Sequence, residues 1–342
     1  MIFRYGASLS EHNTLGFDAR AEALVEPVDI ASLRRALAIG RRQFSAVTAF
    51  GGGSNVILRP WVSGLCVRYA GRGCWLEENE ESSALWHVEA GVNWHALVMS
   101  AAAGGWWGIE NLALIPGSTG AAPIQNIGAY GVEVGDVLES VHVVHIESGR
   151  YEILSRDRCA FGYRDSIFKG ALSGRVVIVR VVLRLSRHGS PQLGYGDLAD
   201  RVTKSETLSP LSVAEAVCAA RREKLPDPQT TANAGSFFKN PVIAPEKAQG
   251  LIDLHPAMPH WQTPDGVKLA AGWLIDQCGW RGFRKNGVGV HDRQALVLVH
   301  HGGSDAEGML SLAEEIALSV DKRFGVTLER EPTVIGQAGV EK

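Results

Sequence analysis

Hydrophobic periodicity along the chain alternates between short helical and strand signatures, with no internal repeat or low-complexity tract. Asp29 precedes Ile30, Leu33 and Leu37, which are spaced for one helix face, and Gly40 supplies a stop. An apolar run from Ser45 to Phe50 predicts a strand that exits into Gly51-Gly52-Gly53-Ser54-Asn55. Further strands are predicted over 65–69, 85–90, 141–146 and 176–185, the last because its β-branched density suits a pleated sheet. Asn93 opens a predicted helix that closes at Gly104-Gly105. Composition changes at Arg187-His188-Gly189-Ser190-Pro191, which reads as a connector. Beyond it, Ser212 and Glu215 have capping-box spacing and open a helix to Lys224. Leu225-Pro226-Asp227-Pro228 ends that helix, because proline has no amide donor. A buried helix over 268–278 and a strand over 295–299 follow. A second capping box at Ser304 and Glu307 opens a long helix to about Arg323, and a strand over 326–329 comes last. Several strands pair best antiparallel, so the fold class is α+β, with the main boundary between about 187 and 211.

A length of 342 residues, 45% apolar and 21% charged, suits two or three domains with a sizeable core. A net charge of -3 gives no general attraction to nucleic acid or anionic membranes. The longest charge-free apolar stretch, Ala96 to Ile109, falls short of the ~20 residues of a membrane helix. No apolar signal region precedes Arg4, so a cytoplasmic protein is expected. Cys66, Cys74, Cys159, Cys218 and Cys278 are odd in number, widely spaced and without a CxxC pair, which suits reduced thiols.

Metal and hydrolase chemistry find no motif: no zinc-spaced Cys/His set, Walker A sequence or nucleophile elbow occurs. His142 and His145 lie three apart on a predicted strand and point to opposite faces. Gly51-Gly52-Gly53-Ser54-Asn55 follows a strand but lacks the third glycine of the dinucleotide fingerprint. It suits either a tight strand exit or a nest of amides for a phosphate. The segment from Ile115 to Gly131 is more informative. Gly117, Ser118, Gly120, Gln125, Asn126 and Gly128 lie among small residues with little charge, as suits a backbone pressed against a large ring system.

These two loops, in this order, resemble the FAD-binding domain of the UDP-N-acetylenolpyruvoylglucosamine reductase family, within the vanillyl-alcohol-oxidase (PCMH) type of flavoprotein. The resemblance continues through Gly162-Tyr163-Arg164-Asp165-Ser166, Tyr195-Gly196-Asp197-Leu198, Lys224-Leu225-Pro226-Asp227-Pro228 and Asn233-Ala234-Gly235-Ser236-Phe237-Phe238-Lys239-Asn240-Pro241. It ends at Ile335-Gly336 and covers nearly the whole chain, in the manner of the larger of the family's two subtypes. It implies a two-lobed FAD domain over 1–187 (lobes roughly 1–70 and 71–187), a connector over 188–211 and a C-terminal α+β substrate domain over 212–342.

The resemblance also implies noncovalent FAD held by Gly51, Gly52, Gly53, Ser54, Asn55 and the six loop residues above. NADPH is the implied hydride donor, and an enolpyruvyl ether of a UDP-sugar the substrate, with a monomer and no metal. Ser236 is the implied proton donor and Arg164 the implied ligand of the substrate carboxylate. A hydroxyl is a weak acid and serves only within reach of a reactive carbanion-like partner. A planar guanidinium matches a carboxylate and can stabilise enolate charge, although Arg164 could instead pair with Asp165. Of two late acids, Glu329 and Glu331, the family spacing to Ile335-Gly336 selects Glu331 as the third catalytic group. Tyr163, Tyr195, Lys224, Asn240 and Gln294 match sugar-nucleotide positions, and Trp261 stands where the family usually has a tyrosine. Lys224 could equally serve its own helix end. Arg281, Arg284 and Lys285 face either a diphosphate or solvent. Two other functions stay open: another oxidase or dehydrogenase on the same flavin fold, and a silent flavin- or nucleotide-binding protein.

Overall fold

The computed structural model describes residues 1–80, 82–202 and 208–337. The chain forms two compact units. Met1–Ala7, Arg20–Gly53 and Val62–Glu223 make the first; Ser8–Ala19, Ser54–Trp61 and Lys224–Lys342 make the second. The described part of the expected connector and the helix after it therefore fall inside the first unit, residues 203–207 of the connector lying outside the described residues, and two short early segments belong to the second.

The first unit carries two main sheets, with a buried core against each. One sheet runs Phe3–Ser8, Arg20–Val25, Trp61–Val67, Val47–Ala49 and packs Leu33, Ala36 and Leu37 of the helix Ile30–Gln43. Asp29 caps that helix as expected, accepting from the Ser32 amide. Gly40 does not stop it: the helix runs on to Gln43 and closes at Phe44. A Cβ at Gly40 would meet Leu65 and Val47 at 2.9 Å, so this glycine serves close helix–sheet packing instead.

The second sheet is antiparallel, in the order Tyr151–Ser155, Leu138–His145, Val176–Ser186, Ser83–Glu89, Cys74–Glu80. Val176–Ser186 is its centre and is paired along both edges, which its β-branched run suits. Asn93 accepts from Ala96 and starts the helix Trp94–Ala103, which ends at Gly104 as expected. The helix Pro210–Lys224 begins earlier than its predicted cap, because Ser209 and Ser212 bond each other's amides.

One polar residue of this sheet sets a pH dependence. His142 is buried with Nδ1 against the Tyr151 hydroxyl, while His145 meets Glu152. Burial, then Arg180 and His87, pushes the His142 pKa down to about 4. Its unfolded pKa is about 6.5. As pH falls from about 6.5 towards 4 the unfolded chain gains a proton that the native state refuses, so stability declines across that window. His142→Gln should flatten this slope in denaturant titrations at successive pH values; an unchanged slope would assign it to another group.

The second unit has one core, around the helix Ala306–Phe324. Its four-stranded sheet runs Ala232–Ser236, Val297–His300, Val288–Val290, Arg284–Lys285. A three-stranded sheet runs Val242–Ile243, Gly266–Leu269, His260–Thr263, and Thr333–Ile335 pairs in parallel with Val56–Leu58. Three expectations are corrected here. The predicted helix over 268–278 is a strand, Gly266–Leu269, then a seven-residue helix, Ala271–Gln277. Asp305, not Ser304, caps the long helix, accepting from Glu307 and Gly308. Residues 326–329 form no strand; Arg330 makes a single bridge, to Phe238. Among the described residues no helix is long and apolar enough to cross a membrane. Burial pushes the Cys66 and Cys159 thiols up to about 12, as for inert core groups.

Candidate active site

The first unit brings the two glycine loops against each other. A Cβ at Gly51 would meet Ser118 Oγ at 2.6 Å, and one at Gly52 would meet Gly117 Cα at 3.1 Å and the Ser118 amide nitrogen at 3.3 Å. Gly120 is equally tight, with Ala90 Cβ at 2.4 Å. The amides of Thr119 and Gly120 are used inside the fold, on Val92 and Ala90 carbonyls. Those of Gly51, Gly52, Gly53, Gly117 and Ser118 donate to no protein acceptor among the described residues. A paired set of unsatisfied amides with no side chains between them can hold phosphate oxygens and ring carbonyls. Ser54 and Asn55 continue the first loop but belong to the second unit.

Asn126 braces the second loop from within. Asn126 is 2% exposed, with φ of 45°. Its Nδ2 donates to Glu133 (2.6 Å) and to the Gly162 carbonyl (3.1 Å), and its Oδ1 accepts from Gly135 (2.9 Å). The side chain is thus spent on the protein and shapes the loop. Gln125 next to it is half-buried. Tyr130 and Gly131, both at positive φ, make the tight turn between Gly128–Ala129 and Val132–Glu133.

Asn126 also ties this loop to the candidate arginine. Gly162 and Asp165 bond each other's backbones, leaving Tyr163 and Arg164 at the tip of a two-residue turn. Arg164 has φ of 54°, a left-handed conformation unfavourable for a side chain of its size. Its Nη2 donates to the Gly128 carbonyl at 2.7 Å, its Nη1 lies 4.0 Å from Glu133, and its guanidinium sits 5.4 Å from the Tyr163 ring. A Cβ at Gly128 would stand 3.0 Å from Arg164 Nη1, so the glycine leaves room for the guanidinium. Asp165 accepts from the Ser166 amide at 2.9 Å. Tyr195 is half exposed and meets Tyr130 edge-on, with ring centroids 5.5 Å apart.

The second unit brings Ser236 and Glu331 onto neighbouring segments. Ser236 ends the strand Ala232–Ser236 opposite Val297. Asn233 is buried and holds the Pro226 and Thr231 carbonyls and the Gly235 amide, so the approach to Ser236 is rigid. The Glu331 amide donates to the Phe237 carbonyl at 2.9 Å, and Asn55 Nδ2 reaches the Glu331 carbonyl at 3.5 Å. Glu329 instead pairs with Lys239.

Asn240 and Gln294 meet at one place. Asn240 Oδ1 accepts from the Ala271 amide at 2.9 Å, and Gln294 Oε1 would lie 3.0 Å from a Cβ on Gly272. Trp261 is 39% exposed on the strand His260–Thr263, with Lys268 Nζ 5.6 Å from its ring centroid. Lys224 is the exposed last residue of its helix. The late basic run faces solvent, where Arg281 pairs with Asp276 at 3.0 Å and Lys285 with Glu315 at 2.7 Å. Three residues around the second loop and Arg164 had no sequence signal of their own: Glu133, Asn111 and Arg221. Asn111 is fully buried and donates to the Tyr130 and Gln192 carbonyls, and Arg221 looks like any basic residue of a helix.

The first unit belongs to the flavoprotein class: residues 21–155 match the family profile described as an FAD binding domain. Residues 227–335 match the profile described as the C-terminal domain of UDP-N-acetylenolpyruvoylglucosamine reductase. The reductase of that name from Chromobacterium violaceum is 45% identical over 337 residues, 97% of this chain and 99% of that protein. That from Pseudomonas aeruginosa is 45% identical over 330 residues, 96% and 97% of the two chains. The chain belongs to the UDP-N-acetylenolpyruvoylglucosamine reductase family. The crystal structure of the Thermus caldophilus reductase shares its fold, with a TM-score of 0.68, 24% identity, and 98% and 100% of the two chains covered. A 6-hydroxy-D-nicotine oxidase from Arthrobacter nicotinovorans shares the fold more distantly, with a TM-score of 0.53, 14% identity, and 95% and 86% covered.

Proposed function

We propose that the protein reduces the enolpyruvyl ether of UDP-N-acetylglucosamine to UDP-N-acetylmuramate with NADPH, through bound FAD, for peptidoglycan precursor synthesis. The observation that carries this reading is the match of residues 227–335 to the reductase C-terminal domain, joined to an FAD-binding domain over 21–155. The oxidase alternative shares only the flavin fold and gives no task to the segment around Ser236. A cytoplasmic monomer goes with this reading, on the strength of the family.

Bound FAD would supply hydride-transfer chemistry between NADPH and the vinyl group of the substrate. The protein's own residues do the rest. The unpaired amides of Gly51, Gly52, Gly53, Gly117 and Ser118 hold and orient the cofactor. Arg164 binds the substrate carboxylate and stabilises charge as it spreads into the enolate. Ser236 Oγ gives its proton to the second carbon, and Glu331 holds or relays the proton that restores it. Tyr163, Tyr195, Lys224, Asn240, Trp261 and Gln294 bind the sugar nucleotide. Of these, Asn240 and Gln294 act from the start of the helix Ala271–Gln277, and Trp261 offers a stacking face.

Anaerobic mixing of the purified protein first with NADPH and then with the enolpyruvyl nucleotide tests the reading. Flavin absorbance should bleach and then return without oxygen. Return only on admitting oxygen would instead support an oxidase. The cradle has its own test. A valine at Gly52 would drive into the Gly117 backbone and part the loops, at a cost of about 3 kcal/mol. Gly52→Val should weaken FAD binding by about 100-fold, read by flavin fluorescence on titration, with far-UV dichroism unchanged. Unaltered affinity would remove this contact from the site.

A further inference from the structure

The first turn of the helix Trp94–Ala103 grips the start of the second glycine loop. The Trp94 amide donates to the Gly117 carbonyl at 3.0 Å, and the Trp94 indole donates to the Leu112 carbonyl at 3.0 Å. Between these two points, His95 Nδ1 accepts from the Leu114 amide at 3.1 Å. Leu114 has φ of 59°, a left-handed conformation that a bulky side chain disfavours. From there the chain runs through Ile115 and Pro116 to the free amides of Gly117 and Ser118. An amide can donate only to a bare ring nitrogen, so in the neutral ring the proton sits on Nε2. The Trp94 indole and the Thr119 hydroxyl, which bonds the Val92 carbonyl, also anchor this stretch, but neither titrates near neutral pH. His95 does. It is half-buried, and burial first, then Arg222 and Arg221 of the helix Pro210–Lys224, lowers its pKa. No acid opposes them: the helix Trp94–Ala103 and residues 112–118 carry no other ionisable group. Glu110, on the turn Glu110–Leu112 packed against that helix, accepts from the Gly108 amide and does not act on His95. The ring is therefore neutral at neutral pH.

We infer that His95 is a positioning residue for FAD: its bare Nδ1 holds Leu114 in the left-handed turn that presents the Gly117 and Ser118 amides to the cofactor, and a proton on that nitrogen releases the loop. This rests on the placement of FAD against the glycine loops proposed above. Once Nδ1 is protonated, it and the Leu114 amide face each other as two donors. The ring must then turn away, or Leu114 must leave its left-handed conformation. Either way the amides of Gly117 and Ser118 lose the fixed spacing that oxygens of the cofactor need. FAD binds the form with neutral His95, so affinity is level above the lowered pKa and falls below it. Charge by itself has the opposite sign: a new cation near an anionic cofactor would tighten binding as pH falls.

FAD affinity of the full chain, read by flavin fluorescence between about pH 8 and about pH 5, tests this in the parent and in His95→Asn and His95→Leu. The parent Kd should hold down to about pH 6.5 and then rise by about tenfold or more towards pH 5. Asparagine places Oδ1 close to where Nδ1 stood and takes no proton in this range. His95→Asn should therefore match the parent within about threefold at neutral pH and show no loss in acid. His95→Leu leaves the Leu114 amide without its acceptor and should bind FAD about tenfold more weakly at every pH. His142 titrates in all three proteins, so the comparison cancels its effect on overall stability. If His95→Leu does not fold, the parent and His95→Asn carry the test. A parent Kd that stays level or tightens in acid, an equal acid loss in His95→Asn, or full affinity in His95→Leu would overturn the inference and leave the proposed function standing. A protein that binds no FAD at any pH would instead sink that function, and this inference with it.

Discussion

Ser236→Ala should leave reduction of the bound flavin by NADPH within about twofold of the parent and slow enol-ether reduction by about 1,000-fold, within the range of positioned general acids. The split follows from where the residue sits. The amide cradle lies on Gly51–Gly53 and Gly117–Ser118 of the first unit, whereas Ser236 ends a strand of the second. Its backbone is held by neighbours rather than by its own hydroxyl: Asn233 fixes the approach and Phe237 donates to the Leu296 carbonyl at 2.8 Å. Removing one half-buried oxygen therefore costs little stability, on the order of 1 kcal/mol or less. A fold defect would slow both half-reactions together, while loss of the proton donor slows one. Stopped-flow absorbance, with each substrate added separately under nitrogen, reads the two rates. Equal loss in both, or loss in neither, would remove Ser236 from the proton transfer.

Much of this architecture is visible in the sequence where the determinants are local. The β-branched run over 176–185 can hardly be anything but a central strand, and Asp29 and Asn93 cap helices because an oxygen one turn from free amides has a clear task. The same rule misplaces two starts. At 209–212 and at 304–307 adjacent residues offer equivalent oxygens, and the backbone decides which one caps. Gly40 reads as a stop because a single sequence shows its missing side chain but not the Leu65 and Val47 methyl groups that need the space.

What the sequence hides is non-local. Val56–Leu58 joins the second unit by pairing with Thr333–Ile335, a contact spanning most of the chain that no local pattern encodes. Residues 326–329 have the apolar look of a strand, yet only Arg330 pairs, and the strand begins after Pro332. The site divides the same way. Glycine loops announce themselves because few folds need so many small residues together, but Asn126 turns its side chain to Glu133, Gly162 and Gly135, which a motif cannot show. Arg221 is hidden for the opposite reason: its neighbours Arg222 and Glu223 make the segment look like a solvated helix face, and only packing reveals the buried Nε.

Arg164 should separate stability from catalysis. A non-glycine residue in the left-handed region costs about 1–2 kcal/mol, and Arg164 sits there with φ of 54° at the tip of its turn. Part of that cost is offset by the bond to the Gly128 carbonyl and the stacking against Tyr163. Arg164→Gly relieves the backbone and removes the guanidinium, so its unfolding midpoint should stay near or slightly above that of the parent. Enol-ether reduction should nonetheless fall by about 100- to 1,000-fold, the scale for loss of one preorganised donor to developing charge. Arg164→Met keeps the strain without the anchor and should lose both stability, by about 1 kcal/mol, and activity. Arg164→Lys should recover some rate but not the two-point geometry. Denaturant midpoints and single-turnover rates on the same preparations decide the matter. Full activity in the glycine variant would mean that the strained turn serves the fold alone and that the substrate carboxylate is bound by other groups.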